Sequence, residues 1–163
     1  DVGGGASTLV DYLLDDGRTS LTVLDIAEPA LSLAKARLRQ RADHVTWIVA
    51  DITKWVVPEQ EYDVWHDRAV LHFLTNPSDQ VAYAAKLNTA LRSGGWAIIG
   101  GFAKGGPTRC SGLDIVQHDA ASLKQLLGSN FSLVDVRSEA HRTPSGGEQL
   151  FTYHDFKKHR AAE

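Results

Sequence analysis

The sequence predicts an α/β protein: a doubly wound, mostly parallel sheet in three α/β/α layers, with an antiparallel strand at its C-terminal end. Three observations carry that expectation. Strand-like and helix-like segments alternate from the first residues to Gly128, the pattern of parallel strands joined by helical crossovers. Three glycines, Gly3 to Gly5, stand just ahead of the first helical stripe, and the next two strand segments each end on an aspartate. The last two strand segments are joined too tightly for a crossover, which makes them an antiparallel pair.

Each element has a local reason. Leu9, Val10, Leu13 and Leu14 form one helical stripe over Ser7 to Leu14, ended by the turn Asp15 to Arg18. "LTVLD", Leu21 to Asp25, reads as a strand. Pro29 suits a first helical position, and Leu31, Ala34 and Leu38 recur at helical spacing behind it. Val45 to Asp51 reads as the next strand and Tyr62 to Trp65 as a third, followed by the loop and short helix "HDRAVLHFL". Asn76 and Pro77 are an N-cap and first turn for a helix with Val81, Ala84, Leu87 and Leu91 inward, stopped by Gly94 and Gly95. Trp96 to Phe102 is a strand, Gly105 to Gly112 a loop, and Ala120 to Leu127 a helix ended by Gly128. Phe131 to Ser138 and Gln149 to Phe156 close the chain as strands around the loop Glu139 to Glu148.

The 163 residues fit a single domain, residues 1–163. A net charge of -3 offers no basic face for a nucleic-acid backbone, and no apolar run approaches the roughly 20 residues that span a bilayer. The expected partner is therefore a small molecule, with neither nucleic acid nor membrane. The one cysteine, Cys110, and the lack of a signal-peptide pattern point to the cytoplasm. Oligomeric state is open.

Chemistry concentrates at the predicted carboxyl edge of the sheet, where doubly wound folds bind ligands. Glycines at a strand-to-helix turn let backbone approach a ligand closely, and the amides there favour an anionic group. Asp25 lies 20 residues beyond Gly5, the spacing at which a carboxylate accepts hydrogen bonds from ribose hydroxyls. Asp51 and Ile52 follow the next strand, so Asp1, Asp25 and Asp51 stand at three successive strand ends.

These residues resemble those of the class I S-adenosylmethionine-dependent methyltransferases (methyltransferase type 11/12-like). "DVGGGAS" is similar to that family's first motif, with Asp1, Gly3, Gly4 and Gly5 at the loop and Ser7 where a third glycine often stands. The resemblance implies a Rossmann-like fold, S-adenosyl-L-methionine as cofactor and S-adenosyl-L-homocysteine as product. It implies that Asp25 binds the ribose hydroxyls, that Ile26 lies beside the adenine, and that Asp51 and Ile52 contact the adenine amino group and ring. "HDRAVLHFL" looks like the Asp-Arg segment of the thiopurine and tellurite-resistance type, which places His66 and Asp67 near the cofactor. In the family a full strand and one or more helices precede the first acid. Here Asp1 and Val2 alone precede the glycines, so the expectation is an N-terminally truncated domain lacking most of that strand.

Methyl transfer is an in-line displacement dominated by positioning, with a general base only where the acceptor must lose a proton. Candidate catalytic residues are Asp67, Arg68 and His141, with His66, Arg109, Cys110 and Arg142 on the same loops. The bland readings are a capping carboxylate for Asp67, a solvated cation for Arg68, a loop tip for His141, a satisfied buried imidazole for His72 and an inert small residue for Cys110. Tyr153 and Lys157 match a dehydrogenase spacing but lie in a predicted strand, not on one helix face. Ser32 and Lys35 sit on an outer helix, and no Cys/His cluster has zinc spacing, so no metal is expected. Two other functions share part of the pattern. An NAD-type oxidoreductase would use Gly3, Gly5 and Asp25 but not Asp51 and Ile52; a non-catalytic adenosine-binding fragment would use all of them.

Overall fold

The computed structural model describes residues 1–142 and 146–160; Thr143 to Ser145, at the tip of the expected C-terminal hairpin loop, lie outside the described residues. The chain divides into two compact units, Asp1–Trp55 and Val56–Glu163.

In the first unit, β1 (Leu21–Asp25) and β2 (Val45–Val49) pair in parallel, from Leu21 opposite Val45 to Asp25 opposite Val49. Val2 forms a parallel bridge to Leu24, and Leu24 N donates to Asp1 O while Gly3 N donates to Leu24 O. The residues ahead of the glycines thus run alongside β1. Helices α1 (Leu9–Asp15) and α2 (Glu28–Leu38) supply the rest of the core, in which Val10, Val23, Leu31, Leu38 and Val45 pack together. The expected stripe of α2 is buried as drawn, with Leu31, Ala34 and Leu38 all in the interior. In α1 only Val10 of the four stripe residues is fully buried. The polar stretch Arg39–His44 forms a 3-10 helix rather than irregular chain.

In the second unit the sheet order is β3-β4-β8-β7, built from β3 (Tyr62–Arg68), β4 (Leu91–Phe102), β7 (Phe131–Arg142) and β8 (Glu148–Lys158). β3 and β4 are parallel, whereas β8 runs antiparallel to both β4 and β7, as the tight final connection requires. α3 (Pro77–Ala90) is capped by the Asn76 side chain, which accepts from Ser78 N, and α4 (Ala120–Leu127) by reciprocal bonds between Asp119 and Ser122.

Several boundaries and facings differ from expectation. β3 continues three residues beyond Trp65, because His66, Asp67 and Arg68 keep pairing with Ile98, Ile99 and Gly100. α3 buries Tyr83, Leu87 and Ala90 while Val81 faces solvent. The polar tip of Tyr83 is what allows this, since its hydroxyl donates to Asp67 and accepts from Trp65 Nε1. α3 ends before Gly94, and Leu91 already pairs with Tyr62. The loop after β4 contains a short hairpin, β5 (Arg109–Cys110) with β6 (Leu113–Asp114), that hydrophobic patterning could not show. The final strands reach Arg142 and Glu148, so His141 belongs to β7 and not to a loop.

His72 overturns the expectation of a satisfied imidazole. It lies in a 3-10 turn, Leu71–Phe73, is only 2% exposed, and neither ring nitrogen has a hydrogen-bond partner. It packs edge-on against Phe73 and Phe102, and shares a small cavity with His118 and His154. Burial holds His72 at about 4 and pushes His118 and His154 below the usual histidine value as well. The folded state therefore binds fewer protons than the unfolded chain once the pH falls below about 6.5. Thermal unfolding between pH 7 and pH 4 should show a midpoint that falls steadily as acid is added, and His72→Phe should flatten that dependence.

Candidate functional site

The first unit carries a cradle built from the glycine loop and two aspartates. A Cβ on Gly4 would stand 2.5 Å from Val23 Cγ1 and 2.6 Å from Asp1 Oδ2. A Cβ on Gly5, where φ is +43°, would stand 3.0 Å from Asp25 Oδ2. Bare backbone at these positions is what lets the loop pass between the two carboxylates. The Asp25 carboxylate is held from the other side, since Oδ1 accepts from Ala27 N at 2.8 Å.

Asp51 begins the turn after β2. Its Oδ1 accepts from Thr53 N at 2.9 Å and Thr53 Oγ1 at 2.7 Å, and Oδ2 lies 3.3 Å from Lys54 Nζ. Those hydrogen bonds, the Thr53 hydroxyl first, hold its carboxyl below the usual range. Ile26 is 70% exposed, an apolar surface open to a ligand, while the neighbouring candidate Ile52 is 4% exposed and belongs to the core. A nucleoside fits this donor set: a half-buried carboxylate with one anchored oxygen, a glycine loop beside it and an exposed aliphatic side chain on the next residue.

One supporting residue escaped the sequence reading. Arg37, on α2, donates to Ala6 O at 2.9 Å and Ser7 O at 2.8 Å, and forks onto Asp11 at 3.0 and 2.7 Å. It ties the outgoing arm of the glycine loop to both helices. Its signal was faint, because an arginine on the polar side of an amphipathic helix reads as solvated.

In the second unit, Asp67 is fully buried and both carboxylate oxygens are occupied: Oδ1 accepts from Val70 N at 2.7 Å, and Oδ2 from Leu71 N at 3.0 Å and Tyr83 Oη at 2.6 Å. Burial pushes its carboxyl up, opposed by those three donors, and the Tyr83 hydroxyl is driven well above its ordinary value. The structure gives Asp67 the capping role and leaves it no oxygen for an acceptor. His66, half-buried on β3, is held below the usual value by desolvation.

Arg68 behaves differently. Its exposed guanidinium lies 4.8 Å from the centre of the Phe151 ring and beside Tyr153, whose hydroxyl burial pushes up. Phe102 and Phe151 meet edge to face at 5.0 Å, and His141 stands edge-on to Phe151 at 6.0 Å. Arg68, His141 and the aromatic residues therefore gather at the carboxyl ends of β3 and β4. Arg109 is spent within its hairpin, on Gly112 O and Asp114, and Arg142 is exposed. Among the described residues no group of three or more His, Cys, Asp or Glu is placed to hold a metal ion.

A glycine loop with carboxylates at successive parallel strand ends defines a nucleotide-binding α/β domain of the Rossmann-like class. Comparison with known proteins narrows it. Residues 1–95 match the methyltransferase domain family, and the chain belongs to that family; its reaction is S-adenosylmethionine-dependent methyl transfer. No curated protein sequence matches the chain. Among solved structures, a SAM-dependent methyltransferase from Methanosarcina mazei superposes with a TM-score of 0.79 at 15% identity, covering 99% of this chain and 92% of that one. The 1,6-didemethyltoxoflavin-N1-methyltransferase of Burkholderia thailandensis, solved with 1,6-didemethyltoxoflavin and S-adenosylhomocysteine, gives 0.75 at 25% identity, covering 98% and 69%. The N-methyltransferase NodS of Bradyrhizobium japonicum, in complex with S-adenosylhomocysteine, gives 0.73 at 17% identity, covering 96% and 75%. These likenesses place the fold firmly among the methyltransferases and leave the dehydrogenase reading without support.

Two substitutions probe the cradle. Gly5→Ala forces an alanine into a left-handed conformation against Asp25, and should lower unfolding free energy by roughly 1–3 kcal/mol. Arg37→Ala removes four hydrogen bonds from the loop support and should cost about 1–2 kcal/mol. Urea unfolding followed by circular dichroism reads both.

Proposed function

We propose that this chain methylates a small-molecule acceptor, with residues 1–55 holding the donor and residues from 56–163 orienting the acceptor. The observation that carries the donor half is the close approach of Gly5 to the Asp25 carboxylate, which sets bare backbone beside an acceptor for the ribose hydroxyls. Asp25 Oδ2 accepts from the ribose hydroxyls, Ile26 covers one face of the adenine, and Asp51 receives the adenine amino group by exchanging its exposed Lys54 partner. Gly3, Gly4 and Gly5 present backbone to the amino-acid arm beside Asp1. Ile52 acts from the core by fixing the turn that aims Asp51.

When bound, the donor supplies an electrophilic sulfonium methyl that passes in line to the acceptor nucleophile. The protein's task is then to hold and orient the two reactants. Arg68 is the orienting cation: its flat face is backed by Phe151, so its hydrogen-bonding edge is presented at low entropic cost. His141, beside the same ring, is the group placed to take a proton where the acceptor nucleophile carries one. The net charge of -3 favours a small acceptor over a nucleic-acid one. The toxoflavin methyltransferase, a structural neighbour, acts on a small molecule of this kind.

Asp25→Ala deletes a charged acceptor and should raise the dissociation constant for S-adenosylhomocysteine about tenfold or more. Calorimetric titration against the parent measures it, and an unchanged affinity would remove Asp25 from the site. With an acceptor in hand from a labelled-methyl screen, Arg68→Ala should raise the acceptor KM about tenfold while leaving the donor affinity as it was.

A further inference from the structure

We propose that two copies of this chain associate edge to edge through β7, forming a continuous antiparallel sheet about a two-fold axis at Ser138. β7 is the outer strand of its sheet, with β8 as its one hydrogen-bonded neighbour among the described strands. It is twelve residues long, and Val134 to Ala140 are all exposed. Outer strands of natural sheets are usually kept short, interrupted by proline or a bulge, or guarded by charged side chains, lysine above all. The stretch 134–142 has no proline, glycine or lysine, and its single register irregularity, between Leu133 and Asp135, falls at one end. One face of the hairpin also leaves Val136 and Leu150 45% and 47% exposed.

The charge pattern selects the partner and the register. Outward-pointing backbone groups recur at every second residue, so an antiparallel two-fold pair must be centred on a residue. Centring on Ser138 sets Arg137 opposite Glu139 of the second copy and Asp135 opposite its His141, each twice by symmetry, with Val136 against Ala140. Moving the centre to Arg137 sets Asp135 against Glu139, like against like. Moving it to Glu139 sets that residue against itself and Arg137 against His141. Centring on Val136 pairs Asp135 with Arg137 but sets Glu139 against Leu133 and brings the irregularity into the middle. Opposite charges directly across a strand pair stabilise it and like charges oppose it. The sequence of β7 is thus complementary to itself in one register, and a second copy is the occupant that this complementarity specifies.

Arg137 lies over its own hairpin, on the β8 side, and swings outward to meet Glu139 of the second copy. It bonds Asp155 at 2.5 Å, lies 5.9 Å from the Tyr153 ring centre, and keeps half of its side chain exposed.

Sedimentation velocity on the full chain should show twice the monomer mass. Glu139→Arg and Arg137→Glu should each, alone, raise the dissociation constant about tenfold or more, with thermal unfolding confirming that each is folded. An equimolar mixture of the two variants restores both charge pairs and should return to the dimer mass. Ser138→Cys should give a disulfide-linked dimer on diamide oxidation that the parent does not, because the register sets residue 138 opposite itself. A parent that stays monomeric, a dimer indifferent to both charge reversals, or a Ser138→Cys chain that fails to cross-link would each overturn the proposal.

Discussion

The proposed donor site depends on the approach of bare backbone to β1 at Gly4 and Gly5. Val2 is locked beside Leu24 by Gly3 N and Leu24 N, so the chain leaves that bridge in a fixed direction. It then turns within three residues, at contact distance from Val23 on one side and Asp25 on the other. No L-side chain fits at Gly4 without displacing Val23 or Asp1. Where the loop lies relative to Asp25 is therefore dictated by sterics, and Arg37 holds the outgoing arm in that position. The proposed placement of the donor rests on these few contacts.

The second unit rests on one buried carboxylate. Asp67 ends the inward-facing run of β3 and collects two backbone amides and the Tyr83 hydroxyl, which in turn receives the Trp65 indole. Taking a carboxylate fully out of water is costly unless it is densely hydrogen-bonded, and here it is. The network fixes where β3 stops and how the chain turns into the Leu71–Phe73 segment. The neighbouring residue Arg68 consequently emerges on the opposite face of the strand, backed by Phe151. Alternation along a strand thus separates a structural aspartate from a candidate acceptor-binding arginine that is adjacent in sequence.

Much of this was legible in the residues. The alternation of elements, the loop, the helix cap at Asn76 and the antiparallel ending rest on local chemistry that a sequence displays directly. What was hidden depended on long-range partners. Tyr83 reads as a solvent-side residue until Asp67 and Trp65 are seen to satisfy its hydroxyl, and that pairing rotates the buried face of α3 away from Val81. Arg37 reads as one more surface cation until its four bonds to the glycine loop and Asp11 are traced. His72 has apolar neighbours in sequence and the rings of Phe73 and Phe102 against it in space, and nothing local marks it as an imidazole left without a partner. The extension of β7 to Arg142 was hidden because the mostly polar residues Glu139 to Arg142 look like loop; exposure on both faces of an outer hairpin removes the alternation by which a strand is normally read.

The central claim is that the glycine loop and Asp25 form the cradle of a methyl donor. Calorimetric titration of the purified chain with S-adenosylhomocysteine, and in parallel with NAD, tests it most directly. Saturable binding of S-adenosylhomocysteine in the micromolar range and none of NAD is expected. Binding of NAD in preference, or of neither ligand by a chain shown to be folded, would contradict it.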